Sequence, residues 1–340
     1  MPHRQRIDLE DVAATPNLDA ALWAAARHKR ARPDVVAFLS DTPAQMARVR
    51  QALLAGRQPD GHLRQFAIND PKPRLIHAAP FADRVAHHAL MRLMAPRLEQ
   101  ALVPTSFACR PGKGVHAALH HAQRQMLAKP AAWVLQLDVW HCFPQLPHEP
   151  LLALLARRFK GSAMALASQV VHGHETSPGS GRGLPIGSLT SQHFANQYLG
   201  EIDRFALARP ECMAHVRYMD DLLLWCDNRA AGQALLAALT DHTEKTLQLQ
   251  FKPPKLLPVK AGLAFGGHRI GPGGLRPGRR RQRAWASHWR ATHALWLAGT
   301  LSERQAQCRA EVLHALCLPS RPLAWQRSVM GQSFELDMHP

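Results

Sequence analysis

Ala214-His215-Val216-Arg217-Tyr218-Met219-Asp220-Asp221-Leu222-Leu223-Leu224-Trp225-Cys226 is the stretch on which the fold turns. Ala214 to Tyr218 reads as a short strand, and Leu222 to Cys226 is an apolar strand. The turn between them, around Met219-Asp220-Asp221, makes the pair a β-hairpin with carboxylates at its tip. About 80 residues upstream, Trp133-Val134-Leu135-Gln136-Leu137-Asp138-Val139 has the composition of a buried strand ending in another acid. Taken singly, a strand-end Asp is a cap and an Asp-Asp pair is a solvated turn. Their joint occurrence asks for a different explanation.

Outward from the hairpin, the chain alternates helices and strands. Residues 16–56 read as two helices, the second with Thr42 as N-cap and Pro43 at its first position. Residues 63–76 look extended, broken by Asp70-Pro71-Lys72-Pro73. A helix from Phe81 to Met94 keeps its apolar spacing at Val85, Ala89, Leu90, Leu93 and Met94, and Pro96 should end or kink it, with a second helical piece open as far as Leu102. Further helices are expected near 115–128, 151–159, 163–172, 188–208 and 229–247. The glycine- and serine-rich Ser177 to Gly183 is a loop. Strands are expected near 248–252 and 263–270, and the chain is mainly helical from 284.

Composition narrows the function. Lys and Arg number 42 against 25 Asp and Glu, a formal charge of +17. Such an excess suits a polyanion, because each cation meeting a phosphate releases condensed counterions. No run of 18 apolar residues exists and Met1 to Asp8 lacks an apolar leader core, so a cytoplasmic protein that does not span a membrane is expected. The six cysteines form no CxxC pair and read as reduced core residues. His87-His88 and His120-His121 are adjacent pairs pointing in different directions on helices, without zinc-ligand spacing.

An acid at a strand end and two at a hairpin tip suit one chemistry in particular. Phosphoryl transfer to a 3′-hydroxyl uses two divalent cations, one activating the attacking oxygen and one neutralising the leaving pyrophosphate. Hard Mg²⁺ takes a few carboxylates plus substrate phosphates and needs no closed protein cage. Asp138, Asp220 and Asp221 would make that platform if their strands lie side by side, as in a split βαβ sheet.

Three ordered segments then carry a resemblance. Tyr218-Met219-Asp220-Asp221 resembles the YxDD box of reverse transcriptases. Asp138-Val139-Trp140-His141-Cys142-Phe143 is similar to their first palm motif, and Gly183-Leu184-Pro185-Ile186-Gly187-Ser188-Leu189-Thr190-Ser191-Gln192-His193-Phe194-Ala195-Asn196 to the motif between the two. Within the family, Pro71 to Ile76, Phe81 to Leu90, the segment Ser106-Phe107-Ala108-Cys109-Arg110-Pro111-Gly112-Lys113-Gly114 and the Ser191-Gln192 ending look most like the diversity-generating retroelement enzymes of bacteria and phages, a group II intron-like lineage. The resemblance covers roughly residues 20–275. It implies an α+β right-hand polymerase with fingers, a split βαβ (ferredoxin-like) palm and a helical thumb. Residues 1–130 would hold an N-terminal extension and fingers with part of the palm. Residues 131–270 would hold the palm, with a fingers insertion near 150–185, and 271–340 a helical thumb and basic C-terminal region.

Carried over position by position, the resemblance assigns metal binding and catalysis to Asp138, Asp220 and Asp221, with the Val139 backbone carbonyl as a further ligand of two Mg²⁺ ions, replaceable by Mn²⁺. Phe143 would be the steric gate against a ribose 2′-hydroxyl. Arg74, assisted by Lys72, would hold the incoming triphosphate, where a bidentate guanidinium suits phosphate oxygens. Ile186 stands where accurate relatives use Gln, which implies low fidelity, notably opposite template adenines. Gln192 and Asn196, one helical turn apart, would line the template–dNTP side. Lys255 would protonate pyrophosphate, with Lys252 competing for that role. Phe265-Gly266-Gly267-His268 departs from the usual primer-grip sequence, and Trp140 and His141 are unusual between Asp138 and Phe143.

Arg276, Arg279, Arg280, Arg281 and Arg283, together with Arg110 and Lys113, would follow a template–primer backbone without reading its sequence. Trp285, Trp289 and Trp296 share one helical face, as core of a thumb or as a docking surface. The implied activity is copying RNA into cDNA in mutagenic retrohoming, with an RNA template, a DNA or RNA primer, dNTPs and a basic oligomeric accessory variability protein as partners. The competing readings are an antiphage-defence or domesticated bacterial reverse transcriptase, and a non-catalytic RNA-binding scaffold. A group II intron enzyme ranks below these, since no endonuclease-like C-terminal domain is evident.

Overall fold

The computed structural model describes residues 4–69, 73–317, 325–326 and 328–330. The chain passes through β1 (Gln5–Arg6), α1 (Leu9–Val12), α2 (Thr15–Ala26), α3 (Pro33–Leu39), α4 (Thr42–Leu54), β2 (Arg64–Asn69), β3 (Pro73–Ala78), α5 (Phe81–Gln100) and α6 (Val115–Ala128). Next come β4 (Trp133–Asp138), α7 (Cys142–Gln145), α8 (His148–Ala156), β5 (Phe159–Lys160), α9 (Ala163–His172) and α10 (Leu189–Leu207). The hairpin strands β6 (Ala214–Tyr218) and β7 (Asp221–Cys226) precede α11 (Arg229–Leu247), β8 (Lys255–Pro258), β9 (Leu263–Phe265), β10 (His268–Gly271), β11 (Gly274–Pro277), α12 (Arg279–Leu297) and α13 (Glu303–Cys317). Two compact units result. One comprises residues 1–104, 138–205 and 238–252, the other 105–137, 206–237 and 253–340.

In the first unit, α2 lies against α5. Leu18, Ala21, Leu22 and Ala25 of the former and Val85, Ala86, Ala89 and Leu90 of the latter are all buried. The alanines let the two backbones approach, and each buried leucine contributes about 1.5–3 kcal/mol of apolar transfer. Asp83, 1% exposed, accepts the amides of Asp60 at 2.8 Å and Gly61 at 2.9 Å, which satisfies the carboxylate and folds that loop onto α5. Strands β2 and β3 pair antiparallel, with Ile68 opposite Arg74.

Three expectations need correction here. Residues 16–56 hold three helices rather than two, α3 starting at Pro33. The cap of α4 is Asp41, whose side chain accepts from Ala44 N at 3.3 Å, so Thr42 is already the first helical residue. Helix α5 continues through Pro96 to Gln100 rather than stopping before it. Pro96 is exposed while Met94 and Leu98 on either side are buried, so packing of the flanking turns holds the helix across the missing donor.

The second unit is built on a four-stranded sheet in the order β6-β7-β4-β8. Its core gathers Leu119 and Met126 from α6, Val134 from β4, Val216, Leu223 and Trp225 from the hairpin, and Phe265 and Ile270 from the small β9-β10-β11 sheet. Strand β4 pairs with β8 from Trp133↔Pro258 to Gln136↔Lys255. The strand expected at 248–252 is therefore found at 255–258. Gln248 takes a left-handed φ of 53°, and Pro253-Pro254 supply no amide to a ladder, so regular pairing begins only after them. Trp285 stacks on Trp289 at 5.6 Å with its edge partner Trp325 at 5.0 Å, whereas Trp296 is 40% exposed.

Among the described residues, no helix is long and apolar enough to cross a membrane. Cys142 and Cys226 are buried free thiols as expected of core cysteines, but Cys109 and Cys308 are exposed.

Candidate active site

The tip of the hairpin is set by its register. Tyr218 pairs with Asp221, leaving Met219 and Asp220 as a two-residue turn. Such turns demand positive φ, and Met219 supplies it at 55°, a conformation that costs a non-glycine residue about 1–2 kcal/mol. The fully buried Arg217 donates from a guanidinium nitrogen to the Met219 carbonyl at 3.1 Å, holding that turn. Asp220 and Asp221 are both half-buried. The expected hairpin with acids at its tip is present, with Asp221 already the first residue of β7.

Asp138 closes β4, the strand that lies between β7 and β8 in the sheet order. Residues 250–252 run antiparallel beside it. The Lys252 amide donates to the Asp138 carbonyl at 2.8 Å, and the Trp140 amide to the Gln250 carbonyl at 2.7 Å. This bridge, Val139↔Phe251, leaves the Val139 carbonyl out of its two hydrogen bonds. The Lys252 ammonium lies 2.7 Å from each carboxylate oxygen of Asp138. Of the two competing lysines, Lys252 is thus the one on Asp138, while Lys255 is exposed in β8 opposite Gln136.

Among the described residues, no three His, Cys, Asp or Glu side chains are grouped as a preformed metal cage. The donors at the sheet end fit a different kind of site. Asp138 is a half-exposed carboxylate with both oxygens turned to one cation, which suits a hard ion that keeps most of its ligands as water and phosphate.

Phe143 sits half-buried in the one-turn helix α7, whose N-cap, His141, is left-handed at φ 44°. Its carbonyl accepts from Leu184 N at 2.9 Å. Two residues on, half-buried Ile186 gives its own carbonyl to His77 N at 3.1 Å, so Phe143 and Ile186 belong to one hydrogen-bonded substructure. Gly187 adopts φ 103°, where a side chain would press on Ile76 Cγ2 at 3.2 Å. Gln192 is half-buried and Asn196 only 2% exposed, one turn further along α10. Burial places His77 and His174 below the ordinary imidazole range, His174 at about 4, so both rings beside this loop are neutral at pH 7. The two rings lie 4.1 Å apart.

Arg110 and Lys113 turn inward on their own loop. Each donates to the Ser106 carbonyl, at 2.8 and 3.3 Å, and Lys113 lies 5.2 Å from the Phe107 ring centroid. Arg276 lies in β11 opposite Arg269. Arg279, Arg280, Arg281 and Arg283 form the first two turns of the tryptophan helix, behind Gly278 as N-cap and with no acid in the first turn. Lys72 and the Arg74 side chain lie outside the described residues. Sequence reasoning missed Arg182, whose guanidinium reaches Gln145 and Gln248. Arg182 falls within the Ser177 to Gly183 loop, and nothing local in that loop signals so distant a partner.

With this geometry in place, comparison with known proteins identifies the class. The model of the family "Reverse transcriptase (RNA-dependent DNA polymerase)" matches residues 69–270, over half of the chain, and the chain belongs to that family. The family has the right-hand polymerase fold, and the mixture of helices and strands seen here agrees with it. Among curated proteins, the chain is 26% identical over 151 residues to the group II intron-encoded protein LtrA of Lactococcus lactis subsp. cremoris, covering 41% of this chain and 24% of LtrA. It is also 26% identical over 151 residues to an uncharacterized 91 kDa protein in the cob intron of Schizosaccharomyces pombe, covering 43% of this chain and 17% of that protein. The chain thus spans a quarter or less of the length of these relatives.

Proposed function

We propose that this protein is an RNA-directed DNA polymerase whose chemistry is a two-metal phosphoryl transfer at Asp138, Asp220 and Asp221. One observation carries the reading: the strand ending in Asp138 is the sheet neighbour of the strand that begins at Asp221, directly after a turn holding Asp220. That order, with helices in both connections, supports a split βαβ palm, preceded by fingers and followed by a thumb from about residue 271. Mg²⁺ held by the three carboxylates and the Val139 carbonyl would supply activation of the primer 3′-oxygen and neutralisation of pyrophosphate. The remaining work falls to the chain. Phe143 excludes a ribose 2′-hydroxyl. Arg74 and Lys72 orient the triphosphate, and Gln192 and Asn196 shape the template side. Lys252, already paired with Asp138, is better placed than Lys255 to move from the carboxylate toward a departing pyrophosphate.

The basic start of α12 supports contact with a template–primer backbone. Four guanidinium groups and the positive end of the helix share two turns, an arrangement that favours phosphate. RNA template, DNA or RNA primer and dNTPs follow as substrates. The biological setting we favour is a diversity-generating retroelement with a basic accessory protein. Its support is the Ser106 to Gly114 segment and apolar Ile186, which removes a polar contact beside the nascent base pair. An antiphage-defence or domesticated bacterial reverse transcriptase is the second reading.

The test is primer extension on an RNA template with dNTPs and Mg²⁺, with Asp220→Ala as control. Extension by the wild type and none by the variant is expected. Equal background product from both would make the protein a non-catalytic RNA-binding scaffold. A mutation spectrum as clean as that of an accurate retroviral enzyme would remove the mutagenic role.

A further inference from the structure

A four-residue helix leaves its carbonyls without intrahelical donors, and something must supply them. For the turn that carries Phe143, one loop supplies donors to the carbonyls of Phe143, Pro144, Gln145 and the C-cap Leu146. Phe143 O accepts from Leu184 N at 2.9 Å and Leu146 O from Gly183 N at 2.9 Å. Pro144 O accepts from Thr176 Oγ1 at 2.6 Å, and Gln145 O from an Arg182 terminal nitrogen at 2.9 Å. The loop is closed on itself by Thr176 N to Arg182 O at 2.9 Å, and fixed to α8 by His148 Nε2 against Gly183 O at 2.7 Å.

Arg182 extends this clasp to the segment at Gln248. The nitrogen that serves Gln145 also donates to Gln248 O at 3.0 Å, and its twin donates to Gln248 Oε1 at 2.7 Å. Gln248, left-handed at φ 53°, begins the stretch whose Gln250 and Lys252 pair with Trp140 and Asp138. One half-buried guanidinium therefore ties together the turn behind Phe143, the loop leading to Ile186 and the segment running beside Asp138.

We propose that Arg182 is a positioning residue for sugar selection, fixing through Gln145 and Gln248 the place of the Phe143 ring. This rests on the reading of Phe143 as the steric gate. Arginine suits the site because two nitrogens held in one plane fix three acceptors on two segments, whereas the three rotatable donors of a lysine ammonium on its flexible stem impose no such plane. Placement errors of about 1 Å in reacting geometry cost on the order of a hundredfold, so a loosened turn should show in selectivity before it shows in folding.

The experiment compares wild type, Arg182→Ala, Arg182→Lys and the milder Gln248→Asn, which keeps a residue tolerant of positive φ but shortens its reach. Two readouts are taken: hydrogen exchange of the Gly183 and Leu184 amides, and kcat/KM for dNTP against rNTP in primer extension. Faster exchange at both amides is expected in all three variants. The dNTP preference should fall about tenfold in Arg182→Ala, with kcat for dNTP changed less than about threefold. Arg182→Lys should not restore the preference. Unchanged exchange overturns the clasp. Altered exchange with unaltered preference, or full rescue by lysine, overturns the positioning role. If the wild type extends no primer, the polymerase reading fails while the exchange data still decide the clasp.

Discussion

Lys252 and Asp138 are joined twice, by the lysine amide on the aspartate carbonyl at 2.8 Å and by the ammonium on both carboxylate oxygens at 2.7 Å. The side chains are 43% and 31% exposed, so the ion pair is water-screened and adds at most about 1 kcal/mol to stability. On the proposed two-metal reading, the ammonium competes with a metal ion for the carboxylate. Replacing Lys252 by Met should leave the melting temperature within a few degrees of wild type. It should also tighten Mn²⁺ binding, measured by titration calorimetry without nucleotide, by about threefold to tenfold, since the resident cation is gone. Mn²⁺ affinity that stays the same would mean the ammonium does not compete with metal.

Ile186 gives a fidelity test independent of the acids. Its carbonyl is held by His77 N at 3.1 Å, so a side-chain change leaves the backbone in place. Ile186→Gln should lower misincorporation opposite template adenine by about threefold or more, the scale of one added polar contact. Sequencing of cDNA copied from a defined RNA reads this directly, and an unaltered spectrum removes Ile186 from the specificity argument.

Stability should fall on acidification. His87 is 5% exposed, with Nε2 at 2.8 Å from Gln58 Oε1, and burial lowers it to about 4. His88 is lowered to about 4 by burial and then by the charges of Lys29, Arg84 and Arg92. These rings fold neutral, so the unfolded chain binds more protons between about pH 6.5 and pH 4. The stabilisation is whole above the unfolded value and is lost as pH falls toward the folded one. Urea midpoints at pH 7.5 and pH 5 should differ by the equivalent of roughly 1–2 kcal/mol for His87, and His87→Gln should flatten the dependence. A midpoint indifferent to pH in both proteins would contradict the buried neutral assignment.

Met219 stores backbone strain at φ 55°. Met219→Gly removes the steric cost and should raise stability by up to about 1 kcal/mol in urea titrations. It should also slow primer extension, because a freer tip presents Asp220 less consistently. A destabilised glycine variant would show that packing of the methionine side chain outweighs the strain it bears.

The sequence was most legible where pattern and local chemistry agree. Helix α9 and helix α11, the strand Ala214 to Tyr218 and the acidic turn all fall where their apolar periodicity predicts. It was least legible where distant packing overrides a local rule. Pro96 breaks helices in isolation, yet the buried Met94 and Leu98 carry α5 through it. The pairing partner of β4 begins at Lys255, beyond the apolar residues near 250, because pairing depends on the register with β4, which one sequence cannot display. Trp285, Trp289 and Trp296 share a periodicity, but the fold covers Trp285 and leaves Trp296 open. The contacts of Arg182 and Lys252 with Gln248 and Asp138 span 66 and 114 residues, a separation at which no local motif applies.

The two-residue turn has a consequence for how this chain can vary. Side chains alternate between sheet faces with strict period two, so a one-residue slip of β7 in its pairing would move each of its side chains to the opposite face. Leu222 and Leu224 would exchange places with Leu223 and Trp225 in a sheet buried on both sides. A change at the acidic tip is therefore tolerated only where it keeps Tyr218 opposite Asp221.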